Sequence, residues 1–289
     1  MIVVRLMGGL GNQMFQYAAG RALAVRHRTV LKLDLSFLEN PSPGTTRRKF
    51  ILNRFPVVAE MAGSLDFPSL VDTTQSVVVR VRNAFLRFLR KQCSTTLLNF
   101  DHQINGLFFR APDNTYLMGY WQSERYFRDN RDLLLKEFTV DVQTEGINAE
   151  TTYQISRTCS VAIHIRRGDY VGTRYHGLCS PEYYERGMET MARTIGSPHF
   201  FVFSDEPEWV RENFSTAYPF TVVGHNDPDE PVPDLALMKL CKHQIIANST
   251  FSWWGAWLNE NPRKVVISPK RWFSDLPSDS IIPDEWIRI

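Results

Sequence analysis

The sequence predicts an α/β protein made of two doubly wound halves, and three observations carry that prediction. The first 35 residues read as strand, turn, helix, strand. After about residue 150, short apolar runs alternate regularly with helical stretches, and a chain of 289 residues that is 43% apolar can bury two moderate cores. The halves are expected to divide at residue 150, giving domains over 1–150 and 151–289, with the C-terminal tail packing back on the first.

In the first half, "IVVRLM" is an apolar strand, "GGLGN" a turn, "QMFQYAAGRALAVRH" a helix rich in strong helix formers, and "TVLKLDL" a second strand. The pattern loosens between residues 36 and 115. "PSPGTTRR" is loop, and "VVVRVRNAFLRFLRK" reads as a basic amphipathic helix over 77–91 carrying Val81, Phe85 and Phe88 on one side. "NTYLMGYWQSERYFRDNRDLLLKEF" reads as a strand, an aromatic turn and a helix.

In the second half "VAIHI", "FFVFS", "FTVV", "HQIIANS" and "KVVISP" are strand candidates. Helices are expected at "SPEYYERGMETMART", "PEWVRENF", "DLALMKLCK" and "TFSWWGAWLNE". Ser180 before Pro181 is an N-cap with proline at the first helical position. Strands alternating with helices call for a parallel sheet covered on both faces.

Composition excludes several classes. Lysine and arginine total 33 against 31 acidic residues, so no global field invites nucleic acid. No apolar run is long enough for a signal peptide or a membrane span, so a cytoplasmic location is expected. Cys93, Cys159, Cys179 and Cys241 have no paired spacing, which fits reduced thiols.

In an open α/β sheet ligands bind beyond the carboxyl ends of the strands. Arg166 and Arg167 follow "VAIHI", Asp205 follows "FFVF", and Asn248, Ser249 and Thr250 open a helix after "QIIA". A helix N-terminus offers free amides to phosphate, and an arginine fork adds bidentate bonds to the same oxygens. Asp205 would repel phosphate but could accept two N–H bonds from a guanine edge. Together these residues describe a nucleoside-diphosphate site. The competing reading makes the arginines a surface ion-pair cluster with Asp169 as partner, and the tryptophans of "FSWWGAW" simply core.

Two rivals are weaker. Gly9, Gly11 and Met14 give G-x-G-x-x-M, which lacks the third small residue of a dinucleotide fold, although Asp34 stands about 20 residues on. Asp227-Pro228-Asp229 matches the metal-binding Asp-x-Asp of many sugar transferases, but its proline-rich setting reads as loop. Charge on a phosphate would then be met by arginine and helix amides, with no metal.

"GGLGNQMFQYA", "GYWQSERYF", "HIRRGDY" and "NSTFSWWGAWLNE" closely resemble, in order, the motifs of bacterial alpha-1,2-fucosyltransferases, family 11 of the glycosyltransferases. The resemblance runs to the terminal "IIPDEWIRI" and is loosest between about 40 and 110. It implies a GT-B type fold, with two Rossmann-like domains facing across a cleft, the first on the acceptor side and the second binding GDP-fucose. It also implies inverting, metal-independent transfer of L-fucose from GDP-beta-L-fucose to the 2-hydroxyl of a terminal galactose.

By the same resemblance Arg166, with Arg167 beside it, meets the diphosphate. His164 and Asp205 hold the guanosine, with Glu206 adjacent. Ser249 or Thr250 lies at phosphate and Asn12 near the reacting centre, while Gly9, Gly11 and Asn248 are expected on the donor side from their places in the turn and before the helix. A glutamate proposed as base in a related core fucosyltransferase falls here on Arg174, which cannot accept a proton. His176 and Glu124 are therefore the candidate bases. Tyr120, Trp121 and Asp169 are placed on the acceptor side.

The expected acceptor is a galactose-terminated oligosaccharide or a lipid-linked glycan of the O-antigen kind. For the latter, the basic helix would hold the enzyme at the inner face of the membrane. A catalytically silent sugar-binding protein and an NAD-dependent oxidoreductase are the alternative classes.

Overall fold

A computed structural model describes residues 1–41, 46–63, 66, 93–140, 146–173, 177–274 and 280–289. The basic helix read over 77–91, Arg174 and His176 lie outside these residues. The chain forms two compact units, Met1–Glu137 and Phe138–Ile289.

The first unit holds a parallel sheet in the order β3-β2-β1-β5-β4. Its strands are β1 (Ile2–Arg5), β2 (Leu31–Asp34), β3 (Glu60–Met61), β4 (Thr95–Asn99) and β5 (Thr115–Gly119). The central strand β1 is flanked in register by β2 and β5. Val3 and Val4 are fully buried, as expected of a strand covered on both faces.

The helix that follows spans Leu10–His27, three residues earlier than its sequence suggests. The turn is confined to Gly8, at φ +74°, and the N-cap Gly9. Gly11 and Asn12 therefore belong to the first helical turn. Close approach of helix and sheet is supplied by Gly20, where a Cβ would lie 2.9 Å from Leu31 and 3.1 Å from Val4. The small residue missing at position 14 is thus found elsewhere on the same helix.

The second unit holds a parallel sheet in the order β11-β10-β9-β6-β7-β8. The strands are β6 (Cys159–Ile165), β7 (Pro198–Ser204), β8 (Phe220–Val223), β9 (His243–Ile245), β10 (Val266–Ser268) and β11 (Ile287–Arg288). Helices Pro181–Ile195, Pro207–Asn213, Val232–Leu240 and Thr250–Leu258 alternate with them. Tyr183, Tyr184, Met188 and Met191, at helical spacing on one helix, pack with Val161, Ile163, Phe200 and Val202.

At the tail, β11 extends the second sheet by pairing with β10. Trp286 just before it packs 5.5 Å from Trp253. Trp253, Trp254 and Trp257 are all buried, and the Trp253 indole donates to the Ile281 carbonyl at 2.8 Å. These tryptophans are core. Among the described residues no helix is long and apolar enough to cross a membrane.

Candidate active site

The parallel register of β6 sets the geometry of the arginine corner. His164 pairs with Phe203 and Ile165 with Ser204, so the next residues out of the sheet, Arg166 and Asp205, leave side by side. An Arg166 Nη lies 3.2 Å from an Asp205 carboxylate oxygen, and the other Nη donates to Asp169 at 2.5 Å. Asp205 also accepts the Arg167 backbone N–H at 2.9 Å, while Arg167 Nε donates to Glu206 at 2.9 Å.

The Arg167 guanidinium is 3.6 Å from the centre of the Trp209 ring, and Arg166 is 5.3 Å from that of Tyr170. Partial burial disfavours the Arg166 charge, but Asp205 and Asp169 outweigh it, so its pKa is raised. The adjacent arginines are thus reconciled by three carboxylates. Asp169 stands three residues from Arg166 in sequence, whereas Asp205 reaches it only through the register of β6 and β7.

Gly168 is what lets this cluster close. A Cβ there would come within 2.3 Å of an Asp205 carboxylate oxygen. Arg166 Nε is buried without a partner among the described residues.

His164 sits on β6 at 3% exposure, and its Nδ1 is likewise buried with no partner among the described residues. Burial, reinforced by the nearby Arg166 charge, lowers its pKa to about 3, so the imidazole is neutral in ordinary buffers. Its ring packs 5.6 Å from Phe251, at the start of the helix after β9.

Ser249 is the N-cap of that helix, with extended backbone at φ −126° and ψ 127°. Its hydroxyl does not cap the helix, and Thr250 is the first helical residue. The leading amides of this nine-residue helix have no carbonyl of their own helix to bind.

Asn248 differs from its expected role. Its amide donates to the Gly177 and Trp272 carbonyls at 3.2 and 3.1 Å, and its carbonyl receives the Cys179 thiol at 3.6 Å. Its side chain ties loops together.

In the first unit, Gly9 and Asn12 are half-buried at the start of the long helix, and Gly11 is buried in its first turn. Asn12 Oδ1 accepts a 2.8 Å hydrogen bond from Gln122 Nε2. Gln122 was passed over in the sequence, and its only signal there was its place in "GYWQ".

Trp121 does not form a pocket wall. It is fully buried, with its ring 5.6 Å from Phe108 and 5.4 Å from Tyr126. Tyr120 is half-buried and stacks on His102 at 5.2 Å. Glu124 begins the short 3₁₀ turn Glu124–Tyr126.

Asp34, which suggested a ribose contact, accepts from Arg5 at 3.0 Å and Tyr116 at 2.7 Å and is 1% exposed. Its acceptor capacity serves the sheet. Asp227 and Asp229 lie in a turn closed by the Asp229 N–H on the Asp227 carboxylate, at 2.9 Å.

A further polar chain was not anticipated. Asn226 donates to Asp234 at 2.7 Å, Asn148 donates to Asn226 at 2.8 Å, and His225 is 2.7 Å from Asn148 Oδ1. Burial raises the Asp234 pKa to about 6, against the lowering effect of Asn226.

Two parallel α/β units, one carrying a guanidinium pair and a helix N-terminus at its carboxyl edge, define a protein of the sugar-nucleotide transferase kind. The sequence matches Glycosyl transferase family 11 over residues 58–289, and the chain belongs to that family. It is a glycosyltransferase. Its relatives include the Escherichia coli alpha-1,2-colitosyltransferase, 34% identical over 303 residues that span 100% of this chain and 98% of that protein. The O-antigen biosynthesis glycosyltransferase WbnK of Escherichia coli is 30% identical over 299 residues, spanning 98% and 99%. The Bos taurus galactoside 2-alpha-L-fucosyltransferase SEC1 is 31% identical over 152 residues, 49% of this chain and 41% of that protein.

Proposed function

We propose that the chain transfers L-fucose from GDP-beta-L-fucose to the 2-hydroxyl of a terminal galactose, with inversion and without a metal. The observation that carries the reading is the arginine corner. Arg166 is held by Asp205 and Asp169 beside the neutral, unpartnered Nδ1 of His164. The motif resemblance and the galactoside 2-alpha-L-fucosyltransferase relative support the donor and the linkage.

In this reading the acceptor oxygen forms a bond to the fucose anomeric carbon as the bond from that carbon to the phosphate oxygen breaks. The electron pair leaves with GDP. Arg166, with Arg167, and the amides at Ser249 and Thr250 meet the charge that grows on the β-phosphate. The proton of the 2-hydroxyl passes to His176 or Glu124. Because the leaving group carries most of the barrier, orientation by Asn12 contributes through geometry. The first unit takes the acceptor and the second the nucleotide. The acceptor is an oligosaccharide or a lipid-linked glycan, met in the cytoplasm or at the inner face of the membrane.

A second reading of the donor is favoured by the colitosyltransferase, which aligns with the whole chain. Here colitose on the same nucleotide replaces fucose. Incubation of both donors with lactose, followed by anomeric and linkage assignment of the product by NMR, tests the proposal. An alpha-linked fucose on the galactose 2-oxygen supports it. Transfer from the colitose donor alone would replace the donor, and a product linked through another oxygen would overturn the assigned linkage.

A further inference from the structure

We infer that Gln122 is a positioning residue for Asn12: it anchors the Asn12 carbonyl and so turns the Asn12 NH2 toward the reacting groups as a hydrogen-bond donor. The kinetic part of this inference rests on the transfer proposed above.

The backbone around Gln122 is forced into place. Gly119 leaves β5 at φ +134°, where a Cβ would fall 2.0 Å from the Asn99 carbonyl oxygen. Trp121 stands at φ +55°, a left-handed conformation unusual for a bulky residue. Its N–H is received by Asn99 Oδ1 at 3.2 Å, and its fully buried ring locks the turn among Phe108 and Tyr126. The strain is held by packing, and its product is the placement of the next side chain.

Gln122 is 6% exposed, and its Nε2 donates to Asn12 Oδ1 at 2.8 Å while its own Oε1 is buried with no partner among the described residues. A buried amide that serves one bond and leaves its carbonyl unmet is poor structural glue. Reversing both amides would make Asn12 the donor and strand the two hydrogens of the Gln122 NH2 in the interior. Orphaned buried N–H groups are rarer than under-satisfied carbonyls, which favours the arrangement as it stands.

Gly8 completes the clamp from the other side. A Cβ at this residue, itself at φ +74°, would lie 2.4 Å from Asn12 Nδ2. The amide nitrogen of Asn12 therefore occupies space that only glycine leaves open.

The chemical consequence is definite. An amide oxygen is too weak a base to take the proton of an attacking hydroxyl, and with its carbonyl held by Gln122 the Asn12 side chain turns its NH2 outward. It gives an N–H to a lone pair on an oxygen of the sugar or of the departing phosphate, and the proton goes to a separate base.

The test compares Gln122→Glu and Gln122→Met, each alone and combined with Asn12→Ala, in steady-state transfer with melting temperatures recorded alongside. A carboxylate has no hydrogen to give, so Gln122→Glu turns the Asn12 NH2 inward and its carbonyl outward. Its kcat is expected to fall roughly tenfold to a hundredfold, with the donor KM changed less than about twofold. Gln122→Met only frees Asn12 and loses less. On the Asn12→Ala background neither change has a further effect. Losses that multiply with that of Asn12→Ala, or wild-type turnover in Gln122→Glu, would overturn the inference.

Side-chain amide NMR of the wild-type protein decides the anchoring without turnover and without reliance on any Gln122 variant. The Gln122 NH2 should be the pair slowed in exchange, and Asn12→Ala should release it. Slow exchange at the Asn12 NH2 instead would contradict the inference. Absence of transfer from every GDP-linked donor would sink the proposed function while leaving this measurement able to decide.

Discussion

At the carboxyl end of the second sheet two guanidinium groups meet the carboxylates of Asp169, Asp205 and Glu206. The corresponding end of the first sheet, at Gly8–Asn12 and Gly119–Gln122, joins its two sides through neutral amides, with positive φ at Gly8 and Gly119 and backbone strain at Trp121. The first arrangement fixes charge and leaves Arg166 Nε and His164 Nδ1 unmet; the second fixes the orientation of one amide. A site that must neutralise a diphosphate needs preorganised charge, and one that must align a reacting oxygen needs geometry. In the proposed reaction the two corners divide these tasks.

The largest expected effect follows from emptying the charged corner. Arg166→Ala should lower turnover roughly a hundredfold or more, the scale for loss of one preorganised donor, and steady-state kinetics reads it. Near-full turnover would make the corner a structural ion-pair cluster. Gly168→Ala should come next, because its methyl displaces the Asp205 carboxylate and with it Arg166. A loss of roughly tenfold is expected, with the fold retained in circular dichroism.

Asn248→Ala sharpens the contrast between ligand and scaffold. It leaves the Gly177 and Trp272 carbonyls without their donor and should cost about 1–3 kcal/mol of stability, read by denaturant titration.

The smallest effect concerns Asp234, whose folded pKa is raised to about 6. The folded state then binds more protons than the unfolded state between the ordinary carboxylate pKa and about 6, so this group's contribution to stability is lost as pH rises through that window. Asp234→Asn should raise the melting temperature at about pH 8 and change it little at about pH 4. A uniform shift at both would mean that the carboxyl is not held protonated.

Much of the second unit was legible because β6, β7 and β8 are continuous apolar runs bounded by clear helix starts, such as Ser180-Pro181. Strands β3 and β11 have two residues each, too few for a period to form, and the edge strand β4 mixes exposed and buried positions. The helix start was misplaced because Gly11 and Asn12 look like turn residues, whereas the turn needs only Gly8 and Gly9.

At the site, "HIRRGDY" pointed to Arg166 and His164 directly. The pairing of Arg166 with Asp205 depends on the register of β6 and β7, which no local pattern reveals. Asn12 and Gln122 lie 110 residues apart, and only the neighbouring ends of β1 and β5 bring them together. Asn248 looked like a phosphate ligand from its place before a helix, but the loop carbonyls it serves come from distant segments.

The most direct measurement of the central claim is GDP release from GDP-fucose in EDTA, with and without a terminal galactoside, for wild type and Arg166→Ala. The account predicts acceptor-dependent release in wild type that survives EDTA and collapses in the variant. Release abolished by EDTA, or equal in both proteins, would contradict it.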